Sequence, residues 1–370
     1  RRGKALVSDI DIMVASRSFE AVHRAVCGYR RLEETESQGI DHIKGRLAYN
    51  LSFEIIIVPP AEFLSQLFWS TGSKEHIEQI RKLKGEERKG DFTSEEAFYA
   101  SMDMQYIPPE LRENRGEIEA ALKGELPNLI ELSDIKGDLH THSRWSDGAH
   151  DIEDMVQAAK DSGYSYLAIT EHSRSLPISG GLNEERLHAQ GKVIDALNLN
   201  LDEFRVLKGS EVDILKDGSL DFDDDILEEL DIVIGSVHSN FKLERDKQSE
   251  RIIQAIKNEK VDIIGHLSGR LLNRRPGYEL DRERILEAAA RNKKILEINA
   301  HPDRLDIDEE TAKIAKDMDI KVAINSDAHS QQDLKLMKYG VINARRGWLE
   351  PADVVNSWEL ADLLNYIQNK

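Results

Sequence analysis

Cysteine is almost absent from this chain, since Cys27 is the only one in 370 residues. A single thiol excludes an internal disulfide and a metal cluster built from several thiolates. We interpret Cys27 as a buried core thiol on a helix. The lack of disulfides is typical of proteins from the reducing cytoplasm, where we expect this protein to act.

Long apolar runs are absent too. No stretch approaches the roughly 20 apolar residues that a membrane-spanning helix needs, and no signal-peptide pattern opens the chain. We therefore expect no membrane partner. The sequence begins Arg1-Arg2-Gly3-Lys4 without a methionine, and we interpret it as a fragment whose N-terminal part is missing.

An excess of positive charge is lacking as well, because 50 Lys and Arg stand against 69 Asp and Glu, a formal net charge of -19. This balance argues against a protein that coats nucleic acid through bulk electrostatics. It does not exclude a nucleic-acid enzyme. Carboxylates that bind metal ions count as negative in this sum, and the ions offset part of their charge.

From about residue 134 onward, the chain alternates strictly between short apolar strands and helix-like segments. Seven strand–helix units in about 235 residues predict a parallel sheet closed into a (βα)7 barrel. The predicted strands are Ile135–Leu139, Tyr166–Thr170, Val206–Ile214, Ile232–Val237, Val261–Gly265, Ile295–Asn299 and Val322–Asn325.

Metal-type side chains lie at the ends of six of these seven strands, in a chain that has 12 His. In a βα barrel the carboxyl ends of the strands meet on one face, where the active site is assembled. The pairs His140/His142 and Asp327/His329 are spaced i, i+2, so both members project to one side of an extended backbone. The candidate metal ligands are His140, His142, Asp147, His172, Glu211, His238, His266, Asp327 and His329.

Imidazole and carboxylate ligands without sulfur suit zinc, manganese or iron. Glu211 is placed to bridge two ions, since a carboxylate has two oxygens. Ions held in this way activate water for attack on phosphorus and neutralise phosphate oxygens, so we predict a phosphoesterase. For additional positive charge we choose Arg270 as a catalytic candidate, with Arg304 and Arg345 as alternatives on loops that leave the same strand ends.

Four segments of this half resemble the motifs of the polymerase and histidinol phosphatase (PHP) superfamily. They are His140-Thr141-His142, Glu171-His172, Gly265-His266 and Ser326-Asp327-Ala328-His329. The resemblance implies a distorted seven-stranded barrel in which nine ligands hold up to three ions, Zn2+ or Mn2+. The nine candidates match that pattern. Glu171 is a departure, since relatives often have Asp at that position.

The N-terminal part contains two strand-like segments, 5–14 and 51–58, on either side of a helix-like stretch. Asp9 and Asp11 share one face of the first strand because side chains alternate along a strand. Glu54 lies beside them if the two strands pair. Three carboxylates on one sheet face can bind two Mg2+ ions, which activate a 3′-hydroxyl and hold a triphosphate. We take these three as catalytic candidates.

The same segments, together with Thr71-Gly72-Ser73-Lys74 and Ile107-Pro108-Pro109-Glu110, resemble bacterial and archaeal family X DNA polymerases. The resemblance implies a small α+β nucleotidyltransferase palm and a helical thumb that precede the α/β barrel. The implied bounds are palm 1–60, thumb 61–112, linker 113–133 and PHP domain 134–370. Implied nucleotide contacts are Arg2, Gly72, Ser73 and Arg81.

Substitutions at three places distinguish the N-terminal part from that family. Glu54 stands where Asp is usual, Trp69-Ser70 where Tyr-Phe is usual, and Ile77 where Asn is expected. A shift of about 1 Å in a metal ligand can cost on the order of a hundredfold in rate, so we expect a weakened polymerase site.

We therefore predict that the barrel removes nucleotides or a blocking phosphate from DNA 3′ ends in gapped or recessed duplexes, as in DNA repair. Nucleotides are a further expected partner of the palm. The alternatives are a small-molecule phosphatase of the histidinol-phosphate type, a gap-filling polymerase whose barrel only supports it, and a non-catalytic DNA-end tether.

Overall fold

The computed structural model describes residues 1–38, 41–85 and 92–369 of the chain. It divides into two compact units, Arg1–Leu126 and Pro127–Lys370. The predicted bounds at residues 60, 112 and 133 stay predictions. Within the described ranges, every helix is either too short or too polar to cross a bilayer.

A four-stranded sheet occupies the start of the N-terminal unit, with the strand order β1-β4-β3-β2. β1 pairs with β4 in parallel, whereas β3 pairs antiparallel with both β4 and β2. One face carries Phe53, Ile55 and Ile57, which pack against α1. The elements are β1 (Asp9–Ala15), α1 (Phe19–Cys27), β2 (Leu32–Gln38), β3 (His42–Leu47) and β4 (Leu51–Val58).

Three details of this sheet and its helix α1 differ from the prediction. The first strand begins at Asp9 rather than Ala5. The β2–β3 hairpin was not predicted, because residues 32–38 are rich in glutamate and lack apolar alternation. Cys27 is exposed rather than buried. It follows Val26, which packs on the sheet, and the next position on a helix turns about 100° away from that face.

Helices fill the remainder of the N-terminal unit, as predicted for residues 61–112, apart from residues 86–91, which lie outside the described residues. Arg112 is fully buried among them and donates to Glu95 at 3.1 Å. The helices are α2 (Phe63–Ser70), α3 (Lys74–Lys84), α4 (Glu95–Ala100) and α5 (Glu117–Lys123).

Seven strands of the second unit pair in parallel and in chain order. An isolated parallel bridge between Thr141 and Ala328 joins the first strand's end to the last, and the N–H of His142 donates to the carbonyl of Ala328 at 2.8 Å. The (βα)7 barrel is therefore confirmed, and it is nearly closed. Its strands are β5 (Gly137–Asp138), β6 (Tyr166–His172), β7 (Arg205–Asp213), β8 (Ile232–Ser236), β9 (Ile263–Ile264), β10 (Ile295–Asn299) and β11 (Val322–Asn325).

The outer helices pack on this sheet through a large apolar cluster. They are α6 (Ile152–Asp161), α7 (Glu184–Asn198), α8 (Asp224–Leu227), α9 (Arg245–Lys257), α10 (Arg282–Arg291), α11 (Glu309–Asp317) and α12 (Met337–Arg346). The last helix, α13 (Leu360–Gln368), packs instead against a second apolar cluster through Leu363.

A separate apolar layer fills the inside of the barrel and positions the site above it. Ala168 of β6 and Leu207 of β7 belong to this layer. His172 and Glu211 follow them by four positions on the same strands, and an even offset along a strand keeps a side chain on the same face. The alternation that buries the inner layer therefore also directs these ligands into the barrel mouth.

Candidate metal centre

Glu211 is the centre of the polar cluster in the barrel mouth. Its side chain is 1% exposed, and the nearest nitrogens of His172 and His266 both lie 2.8 Å from its oxygens. Three further imidazoles approach it, at 3.1, 3.4 and 3.8 Å, from His238, His140 and His142. β6 and the segments that follow β5, β8 and β9 thus bring five histidines around one buried carboxylate, as Glu211's predicted bridging role requires.

Three groups of side chains in this cluster have ligand atoms within 4.8 Å of one another. His142 belongs to two groups and His172 to two, so neighbouring groups share a ligand. The groups are His142 with Asp147, His172 and His329; His140 with His142 and Asp327; and His172 with Glu211 and His238. Together with His266, which contacts Glu211, they contain all nine sequence-predicted ligands.

Aspartates complete two of the groups. Asp147 lies on the loop after β5, with its oxygens 3.6 Å from His172 and 3.4 Å from His329. Asp327, directly after β11, lies 3.2 Å from Nε2 of His142 and 3.5 Å from Nε2 of His140. Both carboxylates therefore face the imidazoles that sequence spacing assigned to the same cluster.

The donor set fits divalent cations. Among the described residues, buried nitrogens of His140, His142, His172 and His266 have no hydrogen-bond partner, nor does Oε2 of Glu211. Buried polar atoms are normally satisfied, so this concentration of unpaired imidazole nitrogens needs a partner that is not a protein atom. Neutral imidazoles and carboxylates at this density are the ligands of Zn2+ and Mn2+.

The electrostatics of the cluster lead to the same conclusion. Burial would raise the pKa of Glu211, but the surrounding imidazoles hold it well below its ordinary value. Burial would lower the pKa of His172 and His238, yet Glu211 and neighbouring aspartates raise them to about 10 and about 9. Burial and the nearby His172 lower the pKa of His142 to about 3. The carboxylates thus require positive charge, which protons on imidazoles supply when no metal ion does.

Buried groups behind the ligands were not predicted from the sequence. Glu297 of β10 lies 2.7 Å from Nδ1 of His140 and accepts from the backbone N–H of His266 at 2.7 Å. Asp213 lies 3.4 Å from Nδ1 of His238. Such carboxylates orient metal-binding imidazoles through the ring nitrogen that faces away from the ion.

The sequence did contain a signal for both groups. Glu297 interrupts the apolar run Ile295-Leu296-Glu297-Ile298, where a charge needs a buried partner. Asp213 follows Glu211 by two positions and therefore projects to the same side of β7. β10 is the one barrel strand for which the sequence predicted no ligand, and it contributes Glu297 to the site.

Of the three candidate arginines, Arg304 approaches the cluster. Its Nε lies 3.6 Å from Asp327, and its side chain is 20% exposed. Arg270 instead donates to the backbone carbonyls of Arg304, at 2.8 Å, and of Leu305. Arg345 donates to the carbonyl of Ile130 at 3.0 Å. The geometry favours Arg304 over our choice of Arg270, whose contacts support the loop that carries Arg304.

In the N-terminal sheet, Asp9, Asp11 and Glu54 lie on one face, because Asp11 pairs in register with Glu54. Burial, Asp9 and Glu54 together raise the pKa of Asp11. Glu54 itself lies 2.8 Å from His42 and 3.4 Å from Lys44. Among the described residues, the three carboxylates do not form a group with ligand atoms within 4.8 Å of one another.

The four predicted nucleotide contacts have structural partners. Arg2 pairs with Glu113 and donates to the carbonyl of Gly72 at 3.4 Å. Ser73 caps α3 by accepting from the N–H of His76 at 3.1 Å. The guanidinium of Arg81 lies 5.4 Å from the centre of the Trp69 ring. A role in nucleotide binding stays a prediction.

Comparison with known proteins decides the family. A family model described as PHP domain matches residues 138–301. Over its whole length the chain is 40% identical to the DNA polymerase/3′-5′ exonuclease PolX of Bacillus subtilis (strain 168), and it covers 67% of that protein. The chain belongs to the PolX family. The resemblances to PHP proteins and to family X polymerases are thereby confirmed.

More distant relatives of this PolX family member share a smaller part of it. A probable phosphatase of Thermoanaerobacter sp. (strain X514) is 31% identical over 63% of this chain and 94% of its own. A solved histidinol phosphate phosphatase (HISK) from Lactococcus lactis, complexed with zinc, L-histidinol and phosphate, aligns with 57% of this chain and 94% of its own. At 23% identity and a TM-score of 0.41, that likeness supports no conclusion.

Proposed function

We propose that this PolX family chain is a metal-dependent phosphoesterase that shortens or unblocks DNA 3′ ends, attached to a weakened polymerase palm. The observation that carries the proposal is the buried cluster around Glu211, with its unpaired imidazole nitrogens. DNA as substrate rests on the 3′-5′ exonuclease named in the Bacillus subtilis relative. Gapped or recessed duplexes in the cytoplasm are the proposed setting.

The nine ligands would hold up to three ions, Zn2+ or Mn2+, in the three groups that share His142 and His172. Such ions activate water and neutralise charge on phosphate oxygens. The chain's own contribution is to fix the ligands from rigid strand ends and to hold Arg304 beside Asp327. A guanidinium there can donate to a non-bridging oxygen of the phosphate that reacts.

Replacing Arg304 with alanine should lower kcat for 3′-end hydrolysis by on the order of a hundredfold, because one charge-stabilising donor is lost. The metal content per chain should not change, since Arg304 is not a ligand. Steady-state kinetics and elemental analysis measure the two quantities. Arg291→Ala is the control, because Arg291 pairs with Glu287 on the surface of α10. An unchanged kcat in Arg304→Ala would exclude this role.

The substrate class is tested by comparing two phosphate compounds. With Mn2+ present, the full chain should convert a 5′-labelled strand with a recessed 3′ end into a ladder of shorter products. Histidinol phosphate should be hydrolysed far more slowly. The reverse order would favour the small-molecule phosphatase, which the probable phosphatases among the relatives keep as a second candidate. If the chain bound DNA but formed no product, the result would favour a non-catalytic DNA-end tether.

Nucleotide incorporation is a separate candidate activity of the palm, with Mg2+ at Asp9, Asp11 and Glu54. Lys44 already supplies positive charge to Glu54 and His42 lies 2.8 Å from it, and Glu54 is one methylene longer than the usual Asp. Both features oppose tight binding of Mg2+, which demands near-ideal geometry. We therefore propose a slow polymerase at most.

Asp11→Asn should abolish whatever incorporation the unaltered chain shows on a gapped duplex and should leave 3′-end hydrolysis intact. The reason is that the palm and the barrel use separate ligand sets. Primer extension and shortening are measured in parallel on one labelled strand. Glu34→Gln is the control, since Glu34 pairs with Arg46 elsewhere on the same sheet. Loss of hydrolysis in Asp11→Asn would contradict the separation.

A further inference from the structure

Glu171 is a fully buried carboxylate beside the ligand His172, and it is not itself one of the nine ligands. One of its oxygens accepts from the N–H of Ser143 at 3.0 Å and from the hydroxyl of Ser143 at 2.5 Å. The same oxygen accepts from Nε2 of Gln190 at 3.1 Å. Its second oxygen accepts from the hydroxyl of Ser146. Most of these donors belong to a single loop.

That loop, residues 143–148, carries Asp147. It closes tightly, since the N–H groups of Ser146 and Gly148 donate to the carbonyl of Ser143 at 3.2 and 2.9 Å. A Cβ at Gly148 would lie 2.7 Å from the carbonyl oxygen of His142, so a larger residue does not fit. Glu171, at the end of β6, thus accepts hydrogen bonds from Ser143 and Ser146, the two ends of the turn that precedes Asp147.

The position of Asp147 depends on these hydrogen bonds to Glu171 more than the positions of the other ligands do. Its side chain is 31% exposed, whereas those of His142 and Glu211 are 0% and 1% exposed. Its contacts to His172 and His329, at 3.6 and 3.4 Å, are longer than the 2.8 Å contact of Glu211 to His172. The hydroxyl of Ser146, which donates to Glu171, also lies 3.3 Å from Asp147. Displacement of the loop would move Asp147 and leave β7, β8 and β11 in place.

We propose that Glu171 is a positioning residue that sets the affinity of one metal position, the group of His142, Asp147, His172 and His329. The other two groups share His142 or His172 with this one but have their own carboxylates, Asp327 and Glu211, so they should lose less affinity. This proposal rests on the proposed metal-dependent function. A glutamate at this site reaches both Ser143 and Ser146, and an aspartate, one methylene shorter, would lose part of that reach. The affinity of this position therefore depends on the length of the side chain at residue 171.

The test counts metal ions bound by the full chain after equilibrium dialysis against graded concentrations of Zn2+. In Glu171→Gln, one of the binding steps should weaken by about 10- to 100-fold, as is usual when a group behind a metal ligand is altered. The reason is that the glutamine side chain has an NH2 group in place of one carboxylate oxygen. An NH2 group cannot accept the hydrogen bonds that this oxygen accepted. Asp147→Asn should weaken the same step, and Glu171→Asp should weaken it less than Glu171→Gln.

Two further variants distinguish a positioning role of Glu171 from a general structural role. Glu153→Gln, on the surface of α6, should bind like the unaltered chain. Ser146→Ala removes one contact of Glu171 and keeps the carboxylate, so it should show a smaller shift of the same step even if Glu171→Gln folds poorly.

Uniform weakening of all steps in Glu171→Gln would overturn the proposal, and so would isotherms of Glu171→Gln and Ser146→Ala that superimpose on the original. In either case hydrolysis by the unaltered chain would still support the proposed function. Failure of the unaltered chain to bind Zn2+ would overturn both.

Discussion

Replacing Glu211 with glutamine should remove hydrolysis of DNA 3′ ends, with a fall in rate of at least about 100-fold. Metal-ion catalysis supplies several kcal/mol of barrier lowering, and each ~1.4 kcal/mol is a factor of ten. Glu211 lies within hydrogen-bond or ion-pair distance of five imidazoles, so its neutral amide removes the charge that the whole cluster shares. Initial rates of strand shortening and ions per chain are the two readouts.

A matched control exists in the N-terminal unit. Glu117 is also fully buried, and it lies 2.5 Å from Nδ1 of His76. Glu117→Gln removes a comparable buried charge from a glutamate–histidine pair and should lower stability without changing the rate of shortening. If Glu211→Gln shortened the strand as fast as the unaltered chain, the cluster around Glu211 would not be the hydrolytic site.

Removal of metal ions with EDTA should lower the thermal midpoint of the full chain by roughly 5 to 10 °C and abolish strand shortening. A ligand at about 100 times its Kd stabilises by ~2.7 kcal/mol, and ~1 kcal/mol shifts Tm by about 2–4 °C for a domain of this size. The physical reason is that Glu211 and Asp327 are buried with depressed pKa values and lose their compensating cations. Differential scanning calorimetry measures the shift.

The Glu211→Gln chain serves as the internal control for chelation. Because it should bind few ions, EDTA should change its midpoint little. Restoration of both midpoint and activity by added Zn2+ or Mn2+ distinguishes metal removal from irreversible unfolding. An equal shift in both chains, or full activity in EDTA, would contradict the assignment.

The convergence of the nine candidate ligands was predictable because strand periodicity is a strong constraint. An inward apolar residue fixes the face of its strand, and a residue four positions later must share that face. Ala168 with His172, and Leu207 with Glu211, show this offset. The converging geometry of a closed parallel barrel then brings the strand ends together.

The groups behind the ligands were harder to predict, since the sequence signals that a carboxylate is buried but not which side chain it contacts. Glu297 and Asp213 acquire their roles through partners that are distant in the chain, such as His140 for Glu297. The choice among the arginines stays a prediction, and the sequence could not decide it for a related reason. Loops lack periodicity, so the direction of Arg270 and Arg304 depended on local contacts that only the structure shows.

In the N-terminal unit, prediction from the sequence had similar limits. The spacing of Asp9 and Asp11 correctly placed both on one face, and β4 was predicted with its observed bounds. The hairpin that brings His42 and Lys44 to Glu54 was missed, because its first strand is dominated by glutamate. The positive charge beside Glu54 therefore emerged from the structure alone.

The most direct test of the central claim is elemental analysis of the purified full chain, carried out alongside the strand-shortening assay. The account predicts zinc or manganese at up to three ions per chain, matching the three ligand groups. It also predicts that shortening activity falls in proportion as those ions are removed. A chain that shortens DNA 3′ ends while containing no bound metal ions would contradict it.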